Sequence, residues 1–266
     1  MAIDNFKPSL WESAIIENYK GLSVADVITV APTSVNGKEA IFNRLVNING
    51  VKKYNELEGN MVYDGIDTTK TSLFFDQQRY FAYQIEDVDK VQLAGDVMMP
   101  MAREIAEAIK EDIDAAVLAE AKAAAKIDLE TVELQPADVY DLLVDIGTAM
   151  DEANIPASDR VVVCRPEFVN MLAKDVRIID NAEVLDNGIV QGVKVNGMQV
   201  IKTTHCPKGE VIALHKSAIG YGKQIDKMEA MRLEGRFSDA IRGLVVYGVK
   251  ALRPEAIAKV AYTIAK

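Results

Sequence analysis

Apolar and polar positions alternate along this chain with two different periods. In LFFDQQRYFAYQIED (73–87), Phe81, Tyr83 and Ile85 fall on one face by strict alternation, the period of a strand. The acidic residues Glu86, Asp87 and Asp89 follow and are read as opening a helical turn. Val46 and Ile48 alternate with Asn47 and Asn49 in the same way. RVVVC (160–164) is a continuous apolar run bounded by polar residues, the pattern of an interior strand. GEVIALH (209–215) reads as a further strand, and others are expected near Met228–Leu233 and Leu244–Leu252. The β-branched run from Leu22 to Ala31 also reads as a strand. Between VKV and MQVI stands Asn196-Gly197, the strongest short signal for a two-residue hairpin turn.

The helical period dominates the centre. Residues 96–146 contain no glycine, and Pro100 suits a first helical turn. MAREIAEAIKEDIDAAVLAEAKAAAK (101–126) has strong helix-forming composition throughout. A helix from about Met99 to about Lys126 would be on the order of 40 Å long at 1.5 Å per residue. A compact chain of this length has a diameter of roughly 47 Å, so such a helix would run the length of the molecule. Ile105, Ile109, Ile113 and Val117 step by four, and the stripe therefore drifts by about 40° at each step. A coiled-coil seam alternates steps of three and four, so the pattern predicts a spine facing different neighbours along its length. Residues 134–224 read as an ordinary α/β unit. Pro136 opens a helix whose face is Val139, Leu142, Leu143, Ile146 and Met150, ended by Asn154 and Pro156. A short helix follows over Pro166–Leu172.

Two segments lack a core of their own. Ser9 is a plausible N-cap for a short helix carrying Trp11, Ile15 and Asn18. Trp11, the single tryptophan, reads either as a core anchor or as part of an arm packed on an outside surface. KKYNELEGNMVYDGIDTTK (52–70) is punctuated by Gly59 and Gly65, after Gly50, and its apolar residues stand singly: Tyr54, Leu57, Met61, Val62, Tyr63 and Ile66. It reads either as a surface loop or as a two-stranded arm resting on a neighbouring subunit.

Composition narrows the class. The 266 residues are 49% hydrophobic and 26% charged, which excludes a disordered chain. No apolar run approaches the ~18–20 residues of a membrane-spanning helix, so no membrane partner is expected. The start MAIDNFKPSLWES lacks a basic segment followed by an apolar one, and no signal peptide is expected. Two cysteines, Cys164 and Cys206, are too few for a disulfide scaffold and point to a reducing compartment. A net charge of −10 argues against gripping nucleic acid through bulk charge.

Catalytic signatures are scarce. The chain carries no GxGxxG after a strand, no GxxxxGK[ST], no HExxH and no GxSxG. Gly220-Tyr221-Gly222 reads as a turn. His205, Cys206 and Cys164 could be imagined around a metal, but adjacent strand residues point to opposite faces, so His205 and Cys206 do not converge on a regular strand. The carboxylate groups Glu86, Asp87, Asp89 and Glu111, Asp112, Asp114 read as solvated faces. No catalytic residue, cofactor or metal is assigned.

Three stretches together resemble the major capsid proteins of tailed double-stranded DNA bacteriophages, with the Hong Kong 97-like fold. They are Phe6-x-Pro8-x-x-Trp11; then Asp76-Gln77 through Tyr80-Phe81-Ala82-Tyr83-Gln84-Ile85 with Asp87, Asp89, Gln92 and Asp96; and Val246-Tyr247-Gly248-x-Lys250-x-Leu252-x-Pro254-Glu255. Each is weak alone, and their order and spacing carry the likeness over essentially the whole chain. The resemblance implies an α+β fold with an N-terminal arm (1–38) and an extended β loop (39–78) lying over the adjacent subunit. It implies a spine helix near 97–127, a peripheral domain (79–133 and 225–243) and an axial domain (134–224 and 244–266). It implies a structural, non-enzymatic protein whose partners are copies of itself, in hexamers and pentamers of an icosahedral head. Trp11, Tyr54, Leu57, Met61 and Tyr63 are then the expected contact residues of arm and loop. Scaffold, portal and decoration proteins are implied as further partners, and double-stranded DNA as contents held without specific binding. The implied location is the virion capsid, assembled in the bacterial host cytoplasm. No lysine and asparagine of the family's autocatalytic cross-link can be located by motif. An encapsulin-type nanocompartment of the same fold and a soluble α/β enzyme remain as alternatives.

Overall fold

A computed structural model describes residues 23–36, 39–46, 67–87, 98–173, 183–184 and 189–264. Ser9, Trp11 and the loop residues Tyr54 to Tyr63 lie outside these residues. The first described element is α1 (Val24–Ile28), followed by strands β1 (Ser34–Asn36), β2 (Glu39–Val46), β3 (Asp67–Phe74) and β4 (Gln77–Glu86). The long helix α2 (Met98–Ala124) leads to β5 (Ile127–Leu134), α3 (Val139–Glu152), β6 (Arg160–Cys164) and α4 (Pro166–Leu172). Among the described residues that follow, the regular elements are strands apart from two 3-10 turns: β7 (Glu183–Val184), β8 (Ile189–Val195), β9 (Met198–Lys202), β10 (Glu210–His215), β11 (Ile219–Arg232), β12 (Ser238–Ala251) and β13 (Ile257–Ile264).

Three sheets form. A seven-stranded sheet has the order β5-β13-β10-β6-β9-β8-β7, with parallel pairs β5–β13 and β6–β9. Its centre is buried on both faces, as the uninterrupted apolar run Val161–Cys164 requires. α3 covers it with Val139, Leu142, Leu143, Ile146 and Met150, the face expected from the spacing. The hairpin β8–β9 turns at Asn196 (φ 48°) and Gly197 (φ 78°); two consecutive positive φ angles match the twist of the flanking strands. The second sheet, β11-β12-β4, is a long antiparallel meander in which β12 pairs along its length with both neighbours. The third, β1-β2-β3, is the base of the extended loop.

α2 is the spine. Ile105, Ile113, Val117, Leu118 and Ala121 are buried and Ile109 is half-buried. Along its length it packs on β12 and β11 of the second sheet and on β10 and β13 of the first. The drifting stripe is what lets one helix serve both sheets.

Several expectations change. Leu22–Ala31 is not a strand where it is described. Val24–Ile28 forms a helical turn because Ser23 caps it and the carboxylate of Asp114 accepts from Ala25 N (2.8 Å) and Val24 N (3.3 Å). Local β-branching loses to a distant acceptor. Asp114 is consequently buried rather than solvated, and Asp112 accepts from Tyr247 Oη at 2.7 Å. Gly220-Tyr221-Gly222 is not a turn but interior β11. The strands expected near Met228–Leu233 and Leu244–Leu252 both begin earlier, at Ile219 and Ser238, and together make the hairpin 219–251. β5 pairs in parallel with β13 in the seven-stranded sheet.

Candidate assembly surface

The second sheet carries α2 on one face. By strand alternation Arg79, Phe81, Tyr83 and Ile85 of β4 turn toward the helix, and Tyr80 and Ala82 turn away. Arg79 Nε donates to Asp112 Oδ2 on α2 at 2.8 Å, and that carboxylate holds its guanidinium more firmly protonated. Phe81 is buried over Gly243 of β12, its register partner, and stacks with Tyr83 at a centroid distance of 6.5 Å. Tyr80 is 83% exposed and Tyr83 46% exposed.

Two grooves open beside β4, one on each face. The outer one, about 370 Å³, is lined by Tyr80, Ala82, Leu244 and the ion pair Arg242–Glu229. The inner one, about 170 Å³, lies between β4 and α2 and is lined by Tyr83, Ile105, Ile109 and Arg79. Both also touch Tyr80 and Phe81.

The base of the loop is seated on the same sheet. Ala40, Phe42, Leu73, Phe75 and Val246 form a small separate apolar cluster. A β-carbon at Gly220 would lie 2.7 Å from Phe42 Cζ, and one at Gly222 would lie 3.0 Å from Phe75 Cε1. At Gly248 it would overlap the carbonyl oxygen of Phe74. These glycines are therefore fixed by the close approach of the loop base, which explains a motif that locally resembled a turn. Lys250 Nζ adds a hydrogen bond to Ser72 O at 2.8 Å. At the far end of the sheet, Arg232 holds Asp87 and Asp239, and Phe237 at the hairpin tip is 83% exposed.

The candidate chemistry of the sequence is inert in place. Cys164 and Cys206 are free and buried; burial pushes the Cys206 thiol up to about 12 and raises that of Cys164 further. Thiols held protonated are poor nucleophiles and poor ligands. Among the described residues no group of three or more His, Cys, Asp or Glu side chains could hold a metal ion. Also among them, no helix is long and apolar enough to cross a membrane. Of the contact residues expected from the sequence, Trp11, Tyr54, Leu57, Met61 and Tyr63 lie outside the described residues. The exposed pair Tyr80 and Tyr83 was not singled out. The available signal was the presence of aromatics on both parities of one strand, which a single buried face does not use.

One long helix is shared by two sheets, and the small β1-β2-β3 sheet is clamped on one of them. A family model described as phage capsid protein matches residues 70–260, and the chain belongs to that family. Among solved structures, a protein of Mycobacterium phage Che8 is similar at 24% identity and TM-score 0.70, with 90% of this chain and 91% of that one covered. A capsid structure of cyanophage P-SCSP1u is similar at 18% identity and TM-score 0.72, covering 92% and 89%. A virus-like particle from Pyrococcus furiosus is similar at 16% identity and TM-score 0.61, covering 95% and 98%. No curated protein matches. The fold is the Hong Kong 97-like fold of phage major capsid proteins, and the protein is a structural subunit of a capsid shell.

Proposed function

We propose that copies of this chain close into hexamers and pentamers of a phage head, with the arm and extended loop of each copy reaching over its neighbours. The observation that carries this reading is the family match over residues 70–260, with a loop base clamped on Gly220, Gly222 and Gly248. A clamped base holds a projecting loop at a fixed exit angle, which suits a segment that must reach a neighbour. Trp11, Tyr54, Leu57, Met61 and Tyr63 are assigned as its contact residues. Many contacts of modest affinity then give a very stable container.

The protein works by association and catalyses no reaction. Its double-stranded DNA contents are held without specific binding, because a net charge of −10 per copy repels phosphate and leaves the genome free to move. Scaffold, portal and decoration proteins complete the head, and assembly takes place in the bacterial host cytoplasm. The likeness to the virus-like particle from Pyrococcus furiosus favours a second reading, an encapsulin-type shell loaded with protein. Electron microscopy of the chain expressed alone and with a scaffold tests the first reading. Icosahedral particles are expected, and a small monodisperse species under every condition overturns it. Shells recovered from the native source then decide the contents, DNA or protein.

A further inference from the structure

Asn196 and Gly197 form the two-residue turn between β8 and β9, with φ angles of 48° and 78°. The dipeptide that suits this turn is also chemically exposed. Glycine carries no side chain to hinder its own amide nitrogen from attacking the side chain before it. Attack of Gly197 N on Asn196 Cγ forms a carbon–nitrogen bond and closes a five-membered succinimide. The Cγ–Nδ2 bond breaks, and ammonia leaves with the proton from Gly197 N. Water then opens the ring at one carbonyl or the other, giving aspartate or isoaspartate.

The closed turn forbids the first step. Ring closure needs Asn196 Cβ and Gly197 N on the same side of the Cα–C bond. In the left-handed conformation, with ψ of about +47°, they stand on opposite sides. Reaction therefore waits on the turn opening, and two contacts oppose that. Val195 and Met198, the register partners that flank the turn, are buried. The Asn196 side chain is also seated on α3: a β-carbon at Gly147 would stand 2.2 Å from Asn196 Nδ2 and 3.0 Å from Cγ. Gly147 lies inside the helix, where glycine is less favourable than alanine. Its bare surface is what admits the Asn196 amide. Asn196 as a whole remains exposed, so water for the second step is at hand.

We infer that Asn196 is a latent site of spontaneous deamidation, guarded by the closed turn and by the seat that Gly147 gives its side chain. Conversion adds a negative charge at the turn. The isoaspartyl product also lengthens the main chain by a methylene between two paired strands, which disturbs the register of Met198, Val200 and Ile201, buried in β9. In a shell, whose subunits are not renewed after closure, a guard against slow chemistry preserves the particle. That use rests on the shell reading above; the chemistry does not.

Peptide mapping of the full chain, held warm at mildly alkaline pH, tests it. The tryptic peptide 195–202 reports conversion as a mass gain and as two products that separate on chromatography. The same chain unfolded in urea gives the unguarded rate, and Asn196 should convert there ahead of the other asparagines. Folded wild type should be slower by at least about a hundredfold. Gly147→Ala pushes the side chain off the helix and should speed conversion at least about tenfold over folded wild type, both being kept well below their melting temperatures. Folded wild type that converts as fast as the unfolded chain overturns the guard, and a folded Gly147→Ala chain that converts no faster than wild type overturns the part given to α3. An unfolded chain that spares Asn196 overturns the site itself. Should Gly147→Ala fail to fold, wild type in urea below its unfolding midpoint decides: conversion must rise in step with hydrogen exchange of peptide 195–202, and conversion independent of that opening overturns the inference. None of these outcomes touches the shell reading, which electron microscopy tests separately.

Discussion

The far end of the Phe81 ring rests against Gly243 on the neighbouring strand, close enough that a β-carbon at 243 would stand 2.5 Å from Cε1. A glycine within a strand weakens it, and an aromatic on the cross-strand partner restores the lost burial. Phe81 thereby fills the space between β12 and the spine beside Ile241 and Val245.

Gly243→Ala should evict the ring. The clash is with the far end of a side chain, so the strand pairing survives and the cost is the lost burial of Phe81. Overpacking of this kind costs about 1–3 kcal/mol. Urea unfolding should show that loss, and Phe81→Leu in the same chain should recover part of it. Gly248→Ala is the sharper comparison. There the obstacle is the backbone carbonyl of Phe74, which cannot swing aside, so the loss should exceed that at Gly243.

Arg160 offers a contrast between a buried group and an ion pair that merely accompanies it. Its guanidinium is nearly fully buried, donating to the carbonyls of Pro156 (2.9 Å), Gly147 (3.5 Å) and Ile155, and to Asp151 Oδ1 (2.6 Å). The carbonyls of Ile155 and Pro156 lie in the bend after α3, beyond its helical hydrogen bonds, and that of Gly147 lies within the helix. Asp151 is itself mostly exposed. Arg160→Leu should therefore cost several times more than Asp151→Asn. Each buried carbonyl left bare is worth about 1–3 kcal/mol, whereas an ion pair with an exposed partner contributes about 0–1 kcal/mol. Equal losses in denaturant melts would move the stabilisation from the carbonyls to the charge pair.

Asp114 ties α1 to the spine, and its titration carries a definite sign. Burial raises its pKa above the ordinary carboxylate range, against the lowering effect of the amides of Ala25 and Val24. Asp26 raises it slightly further, and His205 opposes. The folded state thus binds the proton more tightly than the unfolded chain. Between the ordinary carboxylate value and the raised one, stability falls as pH rises. Asp114→Asn removes this slope. The difference in unfolding free energy between wild type and variant should shift in favour of the variant as pH climbs through that window. A difference that is flat with pH would mean that the carboxylate is as well solvated folded as unfolded. Exchange at the Ala25 amide should quicken in the variant, since an amide side chain offers one acceptor where the carboxylate offers two.

Much of the frame was legible because it rests on short-range rules. The α2 composition, the apolar run of β6, the proline that opens α4 and the Asn196-Gly197 turn each act through their own neighbours. The misread segments were decided from a distance. Val24–Ile28 is helical because of a carboxylate about ninety positions away in sequence. Gly220 and Gly222 are glycines because Phe42 and Phe75 lie on them. β5 was passed over because its alternation, with Ile127 and Leu129 half-buried, is faint without the β13 partner beside it. The aromatics of β4 could not be sorted from sequence, since Tyr80 and Phe81 are similar in kind and only the position of α2 decides which is covered. The contact residues of arm and loop came from family likeness and single apolar residues, a pattern that marks surface without fixing what it touches.

The loop itself can be separated from the fold that carries it. β2 and β3 pair from Glu39↔Phe74 to Val46↔Asp67, so the ends of the intervening segment meet as register partners. A short linker can close that gap. Among the described residues, Ala40, Phe42, Leu73, Phe75 and Val246 seat the base. Replacing 52–66 with a Gly-Ser linker should therefore leave the melting temperature of the subunit nearly unchanged while abolishing shells, seen as a single slow-sedimenting species. Trp11→Ala should likewise weaken assembly more than melting, if its ring is seated on a neighbour. Normal shells from the linker variant would remove Tyr54, Leu57, Met61 and Tyr63 from the contact. A Trp11 variant that melts early but assembles would put that ring in the subunit's own core.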